Sequence, residues 1–256
     1  RPGFENRAGL LSRELSLPLL SVAPTLAMEQ ECLMLVVDDG GLSLQQLGKK
    51  APGPVRCEFA LGAARHRRLY GGGRGQDIAK ATGLGRSGFC PKLLDLTAGL
   101  GRDGFILASL GAQVTMIERN PIIYALLADG LSRAGDEVEE DPPLAEILQR
   151  INTVCQDSVD YLKTLTDQQC PDVIYLDPMF PSREKSSKVK KEMQIFHQLV
   201  GVDDAGELLS VALGKARYRV VVKRPVHAPV LNGCEPGYSL KGKSTRFDIY
   251  PLQKLP

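Results

Sequence analysis

The sequence predicts an α/β fold built on a doubly wound parallel sheet. From residue 91 onward, short apolar segments alternate with segments of helical periodicity. The apolar segments carry few charges, as strands do when helices cover both faces. The first of them runs straight into a glycine-rich turn. Taken in order, the strand candidates are 92–97, 113–117, 152–155, 172–176 and 218–223, and 244–250 reads as one more after a turn-rich stretch holding Gly233, Pro236 and Gly237. Between them, helical spacing of apolar residues marks 102–110, 121–134, 157–165 and 189–200.

The first part of the chain has a different texture. Apolar runs at 33–37 and 55–61, with alternation around Leu42 and Leu44, predict short strands parted by Asp38-Asp39-Gly40-Gly41 and Ala51-Pro52-Gly53-Pro54. We therefore expect a small, sheet-rich N-terminal subdomain over 1–88 and the α/β domain over 89–256. Phe4, Ala8, Leu11 and Leu15 recur at helical spacing, and Pro18 and Pro24 break the apolar stretch 15–28, so a short amphipathic helix followed by an extended segment fits better than a secretory leader. A basic, glycine-rich stretch, 65–75, precedes a helix expected over 76–82.

With 43% hydrophobic and 24% charged residues, the 256-residue chain has the material for a packed core, which excludes a disordered polyelectrolyte. It contains no apolar run of the roughly 18 residues a membrane span needs. The six cysteines, Cys32, Cys57, Cys90, Cys155, Cys170 and Cys234, form no C-x-x-C pair, which suits free thiols in a reducing compartment. The net charge of +2 hides segregation: 129–146 holds seven acidic residues and one arginine, whereas basic residues gather at 65–74, 183–191, 217–224 and 241–246. Four basic segments in one fold either converge on a polyanion or form ordinary solvated faces.

The segment LLDLTAGLGRDGF, 93–105, delivers Asp95 from a strand into a turn with Gly99, Gly101 and Gly104 before helical periodicity starts. Such glycines let a ligand approach the backbone, and the helix start offers unpaired N–H groups. Glu118 follows the next strand, placed to accept hydrogen bonds from both hydroxyls of a ribose. Gly99-x-Gly101-x-x-Gly104 also satisfies a dinucleotide fingerprint, so a nicotinamide-dependent oxidoreductase stands as a rival, as does a plain strand-to-helix turn. Asp95, Arg102 and Asp103 favour an adenosyl cofactor without pyrophosphate: the two aspartates repel phosphate and suit a cationic amino-acid end such as that of S-adenosylmethionine. Asp157 and Ser158 follow the third strand, at the place expected for an adenine.

The segment DVIYLDPMFPS, 172–182, ends a buried strand in Asp177-Pro178-Met179-Phe180, a variant of the D/N-P-P-Y/F motif of methyltransferases that act on exocyclic amines of bases. Such an amine is a poor nucleophile because its lone pair is delocalised into the ring. A carboxylate and a backbone carbonyl held rigid by Pro178 accept its N–H hydrogens and aim the lone pair, and Phe180 stacks on an extruded base. A turn with a core phenylalanine is the plainer alternative. Lys188, Lys190 and Lys191 follow this motif, Lys223 and Arg224 end a strand at the same sheet edge, and Arg67, Arg68 and Arg74 lie in the N-terminal basic stretch; all eight are candidate phosphate contacts.

Together, LTAGLGRDGFILASLGAQVTMIERNP, YLDPMFPSREKSSKVKKEM, VVVKRP and RFDIY, with GPVRCEF and AARHRRLYGGGRGQDIAKATG upstream, resemble the ribosomal small-subunit methyltransferase J family over nearly the whole chain. The resemblance implies a Rossmann-like class I methyltransferase fold, S-adenosylmethionine as cofactor, methyl transfer to the N2 amine of a guanosine in 16S ribosomal RNA or the 30S subunit, and a bacterial cytoplasmic protein. It implies cofactor contacts at Arg102 and Asp103, Glu118 and Arg119, Asp157 and Ser158, and Asp177; other members often carry two serines where this chain has Asp157-Ser158. Other amino-methyltransferases, on DNA or protein glutamine, and a non-catalytic RNA-binding protein are the remaining rivals. No metal is expected, and nothing in the sequence sets the oligomeric state.

Overall fold

A computed structural model describes residues 2–20, 32–48, 51, 53–86, 88–178, 199 and 205–256. The α/β domain begins with β3 (Lys92–Asp95), α4 (Arg102–Ser109), β4 (Gln113–Glu118), α5 (Pro121–Asp136), α6 (Pro143–Gln149), β5 (Ile151–Cys155), α7 (Ser158–Thr164) and β6 (Val173–Leu176). It continues with α8 (Ala205–Leu213), β7 (Arg219–Pro225), β8 (Tyr238–Lys241) and β9 (Thr245–Pro251). The seven strands lie in the order β5-β4-β3-β6-β7-β9-β8; β5 to β7 run parallel to one another, and β9 pairs antiparallel with both β7 and β8. The strand order reverses beside β3, and the crevice at such a reversal is where ligands bind.

Alternation along the strands assigns side chains to two cores. Leu93, Met116, Val173, Tyr175 and Val221 face one layer, and Leu94, Ile117, Ile174, Leu176 and Val222 face the other. Every strand position from Val173 to Leu176 is buried, which explains the unbroken apolar run in the sequence.

Upstream lie α1 (Pro2–Glu14), the antiparallel pair β1 (Leu33–Asp38) and β2 (Gly41–Gln46), α2 (Gly62–Tyr70) and α3 (Asp77–Thr82). These elements share the domain's core. Leu42, Leu44, Val55 and Phe59 belong to the same buried cluster as Leu107 and Leu127, and Phe59 stacks on Phe105 with ring centroids 4.6 Å apart. Gly130 of α5 permits close approach, since a Cβ there would lie 2.8 Å from the Cys57 side chain. Charge adds to this seam: Arg133 donates to Asp129 at 2.9 Å and Glu58 at 2.7 Å, and Arg7 of α1 also pairs with Asp129.

Local expectations need correction in places. The run 55–61 forms only a single bridge, Val55 to Leu44, because Glu58 turns the chain by accepting from the amides of Phe59, Ala60 and Leu61. The basic stretch begins as helix α2, and the acidic segment takes in the end of α5 and the start of α6. Strand β8 also falls in the stretch read as turns; its side chains are exposed or half-buried, so it lacks an apolar run and is held by its pairing with β9. The helix expected over 189–200 lies, apart from residue 199, outside the described residues. Among the described residues no helix is long and apolar enough to cross a membrane, and no cluster of ligands suits a metal ion. All six cysteines are unpaired.

Candidate active site

A cleft of about 280 Å³ opens at the carboxyl edge of the sheet where the strand order reverses. Consecutive strand ends build it: Leu96, Thr97 and Gly99 after β3, Ile117, Glu118 and Arg119 at β4, Asp157 and Ser158 after β5, and Asp177 and Pro178 after β6. Lys163 of α7 and Glu207 and Leu208 of α8 complete the wall.

The turn after β3 is fixed by its glycines and by Glu118. Gly99 and Gly101 adopt φ of 54° and 68°, the left-handed region that a side chain disfavours. Glu118, 7% exposed, accepts from the Gly99 amide at 2.9 Å and the Asn120 amide at 2.8 Å, one on each carboxylate oxygen. Asn120 in turn caps α5 by accepting from the amides of Ile122 and Ile123, and it donates to the Leu199 carbonyl.

Asp177 is positioned from two sides. Its amide donates to Thr97 Oγ1 at 2.6 Å, and its Oδ2 accepts from Lys223 Nζ at 2.8 Å. Lys223 also donates to Asp103 at 2.6 Å, while Asp103 accepts from Tyr175 OH and Arg67 Nη1, each at 2.8 Å. Desolvation pushes Asp177 above the ordinary carboxylate range, against the pull of Lys223. Burial pushes Asp103 the same way, but Lys223 and Arg67 outweigh it and bring it down to about 2. Burial raises Asp95 to about 8, opposed by the Thr97 amide and reinforced by Asp103 and Asp177.

Several sequence-selected residues therefore have other positions than expected. Gly99, Glu118, Arg119, Asp157, Ser158, Asp177 and Pro178 meet at the cleft, whereas Asp95, Gly101, Arg102 and Asp103 do not line it. Asp95 is 2% exposed beneath the turn, where its carboxyl accepts from Thr97 N. The Ser158 hydroxyl is spent on the Leu96 carbonyl at 2.6 Å, and Asp157 caps α7 by accepting from the amides of Val159 and Asp160.

Of the expected phosphate contacts, Arg68 is buried against Asp141 and Arg224 is 4% exposed with the Pro229 carbonyl as an acceptor. Arg67 and Lys223 serve the carboxylate network just described. Arg74 donates to the Arg86 and Leu110 carbonyls. Phe180, Lys188, Lys190 and Lys191 lie outside the described residues. Sequence reasoning missed Thr97, Tyr175 and α8; the one available clue was Tyr175, a hydroxyl in an otherwise aliphatic strand.

Comparison with known proteins decides the family. Residues 20–252 match the family model described as "Putative SAM-dependent methyltransferase". Ribosomal RNA small subunit methyltransferase J of Cellvibrio japonicus is 53% identical over 99% of this chain and 96% of its own length. The chain belongs to the ribosomal RNA small subunit methyltransferase J family. The Pseudomonas aeruginosa (strain UCBPP-PA14) member is 53% identical over 91% of this chain and 87% of its own. The crystal structure of a SAM-dependent methyltransferase from Neisseria gonorrhoeae superposes with a TM-score of 0.71 at 37% identity, covering 96% of this chain and 91% of that one. The methyltransferase J chain is thus an enzyme that uses S-adenosylmethionine.

The cleft's chemistry fits that cofactor. Five lining side chains are acidic (Glu118, Asp157, Asp160, Asp177, Glu207) and two basic (Arg119, Lys163), which suits a sulfonium and an ammonium and opposes the pyrophosphate of a dinucleotide. Leu96, Ile117, Ile123 and Leu208 supply apolar surface for a purine.

Proposed function

We propose that the protein methylates the exocyclic N2 amine of a guanosine in 16S ribosomal RNA, as free RNA or within the 30S subunit, in the bacterial cytoplasm where ribosomes assemble. The observation that carries this reading is Asp177-Pro178 on the wall of the same cleft as Glu118, with the Asp177 amide anchored on Thr97 and its carboxylate on Lys223. In this reading Glu118 holds the ribose hydroxyls, and the turn at Gly99 to Gly101 lies near the methionine end. Arg119, Asp157 and Ser158 border the adenosyl group; Arg102, Asp103 and Asp95 support the turn from behind.

When bound, S-adenosylmethionine supplies an electrophilic methyl on a sulfonium that leaves as a neutral thioether. The protein's part is to prepare the amine. Asp177 accepts an N–H from it, the peptide carbonyl preceding the motif's third residue accepts the other, and Phe180 stacks on the base. As the N–CH3 bond forms and the S–CH3 bond breaks, the nitrogen becomes acidic and its proton passes to Asp177, whose raised basicity suits it to take a proton late. Lys223 holds the carboxylate in place and favours its ionised form before transfer.

Transfer of labelled methyl from S-adenosylmethionine to transcribed small-subunit RNA or 30S subunits, followed by nucleoside mass spectrometry, tests this. We expect N2-methylguanosine at one position. Asp177→Ala should cut kcat by at least about 10²-fold, the loss seen when a positioned polar group is removed, with RNA affinity within about twofold of wild type. Label on another base atom, or full activity in Asp177→Ala, overturns the assignment.

A further inference from the structure

We propose that a second cleft, on the opposite edge of the sheet, holds the phosphate backbone of the RNA substrate. This rests on the RNA reading above and adds a site to it. The cleft, about 750 Å³, lies where β7 and β8 begin and β9 ends, bounded by the end of α3 and residues 252–255. Arg74, Lys80, Arg86, Arg219 and Lys254 line it, and none of its lining residues is acidic. The two clefts therefore carry opposite charge on opposite edges of one sheet, acidic where a cationic cofactor binds and basic where nothing in the methyl-transfer chemistry needs a cation.

Among the described residues, Arg74 and Arg219 are held by neutral acceptors, which fix their charge in place without cancelling it, and Arg86 donates to Pro256 O at 3.2 Å besides the Leu255 carbonyl. Arg74 donates to the Arg86 carbonyl at 3.0 Å, Arg86 to the Leu255 carbonyl at 3.1 Å, and Arg219 to the Ala81 carbonyl at 2.8 Å and Tyr238 OH at 3.3 Å. Arg219 is 8% exposed, and its Nε has no hydrogen-bond partner. Lys80 has an ion pair with Asp77 at 3.6 Å, with both side chains about half exposed, a type of pair worth little. Five cations drawn from three stretches of chain, 74–86, 219 and 254, suit a polyanion better than one small anion, which wants convergent donors.

A path joins this cleft to the catalytic edge. Arg67 of α2 contacts Asp103 in the first turn of α4, and Arg74 contacts the Leu110 carbonyl just past its end, so the basic stretch 65–75 runs the length of an eight-residue helix, about 12 Å. Arg65, Arg67 and Arg68 on this path are paired with Asp141 and Asp103, so the stretch ties the two edges together structurally while the phosphate contacts fall to the cations of the second cleft.

The test is equilibrium binding of transcribed small-subunit RNA over a salt series, with methyl-transfer kinetics alongside. The double variant Lys80→Gln/Lys254→Gln alters two exposed side chains outside the methyl-transfer cleft. Loss of two phosphate contacts should flatten the log–log salt slope by about 1.4 to 1.8 units. RNA affinity at low salt should fall about tenfold, KM for RNA should rise in parallel, and kcat, cofactor affinity and thermal midpoint should stay at wild-type values. Lys254→Glu alone should weaken binding more than Lys254→Gln, which keeps the test usable if the double variant folds poorly. Wild-type affinity and slope in the variants overturn the second site while leaving the RNA reading standing. A wild-type protein that neither binds nor methylates the RNA overturns both.

Discussion

Lys223 illustrates how much a single residue's meaning depends on its neighbours. In the sequence it is one basic residue at the end of a strand; in the fold it lies between two carboxylates, Asp177 on the cleft wall and Asp103 in the first turn of α4. Asp95 is the converse case, selected as an acidic ligand-facing residue yet buried and raised to about 8. Its folded value exceeds the ordinary 3.8, so the folded state keeps a proton that the unfolded state releases. The stability it contributes is complete below about pH 4 and is lost as pH rises through about 8. Asp95→Asn, which retains an oxygen for the Thr97 amide, removes that dependence. Its thermal midpoint should gain on wild type between about pH 5 and 9, at about 2–4 °C per kcal/mol; a constant difference across that range would refute the buried, protonated state.

At the scale of elements, α7 shows why residue type alone misleads. Asp157 was selected for an adenine contact, and it does border the cleft, but its carboxylate accepts from the Val159 and Asp160 amides at 2.9 and 3.1 Å. Serine is an equally good cap, so the exchange Asp157→Ser keeps the helix start satisfied. Asp157→Ala should cost about 1 kcal/mol and lower the thermal midpoint by about 2–4 °C, with Asp157→Ser restoring it. If Ser fails to restore stability, the carboxylate does more than cap. The strands of the parallel sheet were legible because both faces are buried and the runs are continuously apolar. Strand β8 was not, since its pairing with β9, not its own composition, holds it in the sheet.

For the molecule as a whole, the central outcome concerns charge. The acidic segment 129–146 and the basic stretch 65–74 meet in the fold, where Asp141 pairs with Arg65 and Arg68; Asp129 is paired elsewhere, with Arg7 of α1 and with Arg133 of its own helix. Part of the apparent polyanion footprint is thereby internal cement between the N-terminal elements and the sheet domain. We propose that residues 1–88 and 89–256, though distinct in texture, unfold together. Arg133→Met leaves the 1%-exposed Asp129 carboxylate short of a partner and should cost roughly 3 kcal/mol. Urea unfolding should remain one transition with a lower midpoint, whereas two transitions would make the N-terminal part an independent unit.

The sequence by itself determined the alternation of strand and helix, the glycine turn with Glu118, and the Asp177-Pro178 motif, because periodicity, positive φ and strand-end chemistry are local properties of the chain. Only the tertiary structure decided which of those residues face the cleft, which arginines are neutralised, and that a second, basic cleft lies across the sheet. Those outcomes depend on pairings between segments remote in sequence, where desolvation and Coulomb attraction act on distances that no local pattern encodes.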